Sequence, residues 1–138
     1  MSQSRVLEAA PRAQTTAQER NSKIERVLKN IVGLRGVTAA VIVDSDGLVT
    51  HAQKDFDIDA DALGAAVQIA FGSAHQASEH VRLGATHLVL VENKEGLVML
   101  APLSKGLILA LVADTSSLLG AVRFEVKQTI PALNELFA

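Results

Sequence analysis

The sequence has no cysteine, tryptophan or tyrosine, and its only aromatic residues are four phenylalanines. Without thiols there can be no disulfide framework, thiolate metal site or catalytic cysteine. So few rings also leave little surface on which bases or sugars could stack. An excess of positive charge is missing too. Lys plus Arg total 13 against 15 Asp plus Glu, a formal net charge of −2. That balance lacks the basic footprint expected of a nucleic-acid partner and gives no charge-driven attachment to a membrane surface. No uninterrupted apolar run approaches the roughly 20 residues that span a bilayer, and residues 1–18 contain no apolar signal-peptide core. The expectation is a soluble cytoplasmic protein with no nucleic-acid partner and no membrane insertion.

What the chain does have is aliphatic mass, with 49% hydrophobic residues in 138. That suits one domain able to bury a core without metal or disulfide support. The most informative stretch is THLVLVENKEGLVMLAPLSKGLILALVA, Thr86 to Ala113. Its apolar runs are split by the tetrads Asn93-Lys94-Glu95-Gly96 and Leu103-Ser104-Lys105-Gly106. Each tetrad ends in glycine and predicts a tight reversal, so the runs fold as an antiparallel meander. Leu88 to Val91 and Leu107 to Val112 are apolar on consecutive residues, which requires cover on both faces of the sheet.

Taken in order, residues 1–18 are rich in Ser, Gln, Ala and Thr without sustained periodicity and predict a flexible tail, so that residues 19–138 form the domain. Ile24, Val27, Leu28 and Ile31 recur at helical spacing from Glu19 onward. Strands follow at Val37 to Val43 and Leu48 to Ala52, joined by Asp44-Ser45-Asp46-Gly47. A polar loop over 53–58 leads to an N-cap at Asp57 or Asp59 and a second helix over 60–82. Leu63, Ala66, Val67, Ala70, Ala74, Ala77 and Val81 form the stripe expected to face the sheet. A neighbouring stripe of Ala62, Ala65, Ile69 and Gly72 is left over as a partner surface; alanine's high helix propensity is the simpler explanation it competes with. The third helix starts after Asp114-Thr115-Ser116-Ser117, any of which could cap it, and is expected to kink or end at Pro131. The fold class is α/β of the α+β type: a three-layer α-β-α sandwich on a five-stranded antiparallel sheet, in the order α-β-β-α-β-β-β-α. Helices one and three cover one face and helix two the other.

Residues in patterns that could carry chemistry are few. Gly33-Leu34-Arg35-Gly36 is too short for a phosphate-binding loop and lacks its lysine. His75 and Glu79 stand one helical turn apart, with His80 adjacent, but no third metal ligand is evident. His87 reads as a packing or edge residue, His51 has no identifiable partner, and Asp44 and Asp46 belong to a turn rather than an acid pair. Arg35, Arg82 and Arg123 could each be supplied to a phosphoryl-transfer site, but no spacing promotes them. No catalytic residue, cofactor site or metal site is proposed.

The run IERVLKNIVGLRGVTAAVIVDSDGLV, the block GLVMLAPLSKGLILALVADTSSLLGAVR and the long helix between them resemble the Roadblock/LC7 domain over about residues 19–137. The combination carries the resemblance: helix, Gly-Val, a strand ending in D-x-D-G-L, then Leu119, Gly120 and Arg123. The chain is most similar to the bacterial MglB-type members, which partner small Ras-like GTPases of the MglA type. The resemblance implies a homodimer in which the third strand, His87, Leu88, Val89, Leu90 and Val91, pairs with its twofold mate. The second helices then lie side by side and present Ala62, Ala65, Ile69, Gly72 and Gln76 to the GTPase. It further implies a non-enzymatic platform that promotes GTP hydrolysis or the GTP-bound conformation, as in polarity and motility systems. Some such partners carry a charged extension after the third helix, whereas this sequence stops at Ala138. The competing classes are a small-molecule sensor, which needs a pocket with convergent polar groups, and a passive scaffold subunit of a larger assembly.

Overall fold

The computed structural model describes the backbone of all residues except 1, 55, 56 and 58, and side chains from residue 16 onward apart from those positions. The elements are α1 (Ser2–Val32), β1 (Val37–Val43), β2 (Val49–Lys54), α2 (Ala60–His80), β3 (Val89–Asn93), β4 (Gly96–Pro102), a 3₁₀ turn (Ser104–Gly106), β5 (Ile108–Asp114) and α3 (Leu119–Phe137). They form one antiparallel sheet in the order β2-β1-β5-β4-β3. The backbone is helical through residues 2–18, where composition predicts a tail. Side chains 16–23 are exposed, and packing begins at Ile24. Part of the loop expected over 53–58 lies outside the described residues, and β2 runs on to Lys54.

The consecutive apolar runs are explained by two cores. Alternate residues of β5 separate cleanly: Leu109, Leu111 and Ala113 pack under α1 and α3 with Leu28, Ile31, Val122 and Leu133. Ile108 and Ala110 pack on the other side, with Val41, Val43 and Val67 of α2. Each strand of the centre is thus dry on both faces, which a period-two pattern of apolar and polar residues could not achieve. The sheet's two edges differ. β2 alternates half-buried and exposed residues along Val49-Thr50-His51-Ala52-Gln53-Lys54, whereas β3 is mostly exposed over Val89-Leu90-Val91-Glu92-Asn93.

Two local expectations need correcting. The Asp114-Thr115-Ser116-Ser117 run does not supply a side-chain cap: Leu118 is the N-cap residue, with no side-chain hydrogen bond. Asp114 Oδ1 instead accepts from the Ser116 amide at 2.9 Å and from its hydroxyl, which closes a turn before the helix. Nor does α3 end at Pro131, because it continues to Phe137. Proline forfeits one intrahelical bond there, while Leu133, fully buried, anchors the turn beyond it.

Candidate interaction surface

Helix α2 docks through a face one step round from the alanine stripe expected to do so. Its buried residues are Gly64 and Val67, with Leu63, Gln68, Phe71, Ala74, His75 and Ser78 half-buried. Ala66, Ala70 and Ala77 are exposed, and Val81 is 63% exposed, so these four are removed from the sheet-facing set. The physical reason is a backbone contact. A Cβ on Gly64 would lie 2.1 Å from the carbonyl oxygen of Gly47, whose φ of +84° belongs to the β1–β2 turn. Asp44 fixes that turn by accepting from the amides of Asp46 at 2.9 Å and Leu48 at 3.0 Å. Beside it, Gln68 Nε2 donates to the Asp44 carbonyl at 2.6 Å and to the Gly106 carbonyl at 3.3 Å, tying α2 to both hairpin turns. Composition could not reveal this, because a glycine and a glutamine do not register as a packing stripe.

The opposite face of α2 carries the residues singled out for a partner. Ala62, Ala65, Ile69, Gly72 and Gln76 are all exposed, Ile69 at 69%, and nothing lies within 4 Å of where a Gly72 Cβ would be. Asp59 caps the helix start by accepting from the Ala62 amide at 3.1 Å. The other end closes with Arg82 at φ 56°, its amide bonded to the Glu79 carbonyl and the Leu83 amide to that of Ser78, the paired pattern of a left-handed C-terminal cap. Arg82 therefore sits just past the helix.

Among the described residues, strand β3 pairs only with β4, and its other edge is open. Leu90 is 36% and Val91 41% exposed. His87 and Leu88 precede the strand rather than forming it, so the edge itself is Val89 to Asn93. Helix α2 packs mainly over β2, β1 and β5. On that side Val91 and its cross-strand partner Val98 are left partly open, while Val89 and Val98 border the core beneath α2. An apolar edge strand and an apolar strip beside α2 thus lie next to one another.

The remaining candidates have structural partners. His75 Nδ1 lies 3.0 Å from Thr86 Oγ1 and its Nε2 3.0 Å from Glu79 Oε1, a clasp between α2 and the approach to β3. No group of three or more His, Asp or Glu side chains arranged to hold a metal occurs among the described residues. His51 bonds Thr50 and Asn21 and meets the edge of Phe137; burial lowers its pKa, against a smaller raising effect of Glu25. Asp114 is held below the usual carboxylate range by its Ser116 bonds, with a further small contribution from Arg35. Arg35 itself is exposed.

A groove of about 550 Å³ lies on the other sheet face, between α3 and the residues leading into β3. Leu88, Pro102, Val126 and Ile130 form its apolar floor, with Arg123, Lys127 and His87 at its margin. Among the described residues no helix is long and apolar enough to cross a membrane.

The sheet with α2 on one face and α1 and α3 on the other defines a class, and comparison with known proteins agrees. The profile described as the Roadblock/LC7 domain matches residues 23–113, and the chain belongs to that family. An uncharacterized protein of Methanocaldococcus jannaschii is 29% identical over 116 residues, 84% of this chain and 98% of its own. The fold is similar to Myxococcus xanthus MglB, with TM-score 0.77 and 16% identity over 83% of this chain and 94% of that one. It is likewise similar to a Roadblock/LC7 domain from Streptomyces avermitilis, with TM-score 0.73 and 21% identity over 82% and 96% of the two chains.

Proposed function

We propose that the chain is a homodimeric, non-enzymatic platform that docks a small Ras-like GTPase of the MglA type on the exposed faces of its paired α2 helices. The observation that carries this reading is that the chain, a member of this family, leaves both the β3 edge and the Ile69 face of α2 uncovered. Pairing two β3 strands would satisfy the unpaired edge amides and carbonyls and bring a second copy over Val91 and Val98. The small side chains at Ala62, Ala65 and Gly72 let another backbone approach closely. The GTPase's own switch segments would then be held in the hydrolysis-competent or GTP-bound arrangement, since phosphoryl transfer depends mainly on positioning and electrostatics.

Two measurements test the proposal. Sedimentation should show a dimer at micromolar concentration; a single species near 14.6 kDa would refute the pairing. Hydrolysis assays on a Ras-like GTPase from the source cell should show stimulation or retention of GTP that Ile69→Glu reduces. Arg35→Ala, Arg82→Ala and Arg123→Ala should each leave maximal stimulation within a few-fold, whereas an arginine acting in the transition state would cost on the order of a thousand-fold. A collapse of that size with binding intact would make the arginine catalytic and end the platform reading.

A further inference from the structure

The groove between α3 and the approach to β3 faces away from α2 and is not used by the reading above. Its floor is apolar, and the residues lining it include Arg123 and Lys127 but no carboxylate. Both cations are exposed, and neither has an ion-pair partner among the described residues. They stand four residues apart on α3, so their stems leave the helix about 6 Å apart along its axis. Phe124, between them in sequence but not in the groove's lining, is 63% exposed.

We propose that this groove is a docking site for an acidic amphipathic helix of a protein partner. The recognition follows from the geometry. A helix laid along α3 would place apolar side chains, one turn apart, over Val126 and Ile130, which stand four residues apart on α3, as amphipathic helices do in apolar grooves. Carboxylates flanking that stripe, themselves a turn apart, would meet Arg123 and Lys127 at matching spacing. The pairs at the margin would fix orientation and reject basic segments, while burial on the floor supplies most of the affinity. A dimer built through β3 and α2 would carry two such grooves on the side opposite its proposed GTPase face, so the platform could hold two classes of partner at once.

The test is selection of a displayed library of random helical peptides of about four turns against the full chain, followed by fluorescence anisotropy on the enriched sequences. Enriched peptides should carry Asp or Glu one turn apart beside an apolar stripe. Their binding should weaken on the order of tenfold or more in the Arg123→Glu/Lys127→Glu double variant, whose positions are solvent-exposed. Replacing the peptide carboxylates by lysine should recover binding to that variant. Enriched sequences without acidic residues, binding indifferent to the charge reversal, or no enrichment at all would each overturn the proposal. Displacement of the peptide by decanoate at comparable concentration would also overturn it, assigning the groove to a small amphipathic acid.

Discussion

Two glycines of α2 make opposite predictions under the same substitution. In a helix interior, Gly→Ala ordinarily stabilises by about 0.5–1 kcal/mol, because alanine loses less backbone entropy on folding. Gly72 has nothing within 4 Å of its would-be Cβ and should show that gain. At Gly64 the new methyl would sit 2.1 Å from the Gly47 carbonyl oxygen, well inside the 3.0 Å below which real Cβ contacts essentially never fall. The obstacle is backbone held in a turn by Asp44, so it cannot swing away as a flexible side chain would. Lifting α2 off the turn would also lengthen the Gln68 bonds to the Asp44 and Gly106 carbonyls. Overpacking of this kind costs about 1–3 kcal/mol, which outweighs the propensity gain. The propensity gain is common to both, so Gly64→Ala should be less stable than Gly72→Ala by the overpacking cost, about 1–3 kcal/mol. Urea unfolding with unchanged m-value reads the difference directly, and repeating it at two protein concentrations separates any effect of self-association. Equal stabilisation by both substitutions would refute the docking of α2 through Gly64.

Further expectations follow from the same geometry. Ile69→Glu and Ala70→Glu should both change subunit stability by less than about 1 kcal/mol, since both positions are exposed, but Ile69→Glu should weaken self-association or GTPase binding, as read by sedimentation or anisotropy. Arg82→Gly should raise stability by up to about 1 kcal/mol in thermal or urea unfolding, because glycine takes the left-handed φ of 56° without steric cost. Leu133→Ala, at a fully buried site, should cost about 2–5 kcal/mol by the same assay. His51 has its pKa lowered by burial, so the unfolded chain binds its proton more readily than the folded one. Its contribution is fully present above the unfolded value of 6.5 and is lost as pH falls from there through the lower folded pKa; a His51→Gln variant should show a flatter stability profile over that window.

The element order, the layers and the double shielding of the central strands were legible because long apolar runs and glycine-terminated turns leave strong, local signals. Ala62, Ala65, Ile69 and Gly72, the second stripe of α2, are exposed, as is Gln76. The helix's docking face was displaced because alanine contributes little contrast: Ala66 and Ala70 are as apolar on paper as residues that face the sheet. What orients α2 is the missing side chain at Gly64 and a bifurcated amide at Gln68, neither of which a hydrophobic pattern records. The cap of α3 was misplaced for a related reason. Asp114 spends its oxygen on the turn before the helix, and sequence alone does not say which of several amides an Asp will choose. The α3 groove combines residues from α3, from β4 and from the approach to β3, so only the folded chain assembles it.

The unlike edges of the sheet set a limit on growth. A sheet with two equally receptive borders can add copies at both and extend without end, the route by which edge strands seed fibres. Here β3 offers apolar Leu90 and Val91, whereas β2 offers Thr50, His51 and Lys54 on a strand of alternating exposure. Joining two copies β3 to β3 would use the receptive border of each and leave only the polar β2 borders facing outward. Such a union terminates itself: the addition that hides the sticky strand also removes the site at which a third copy could join.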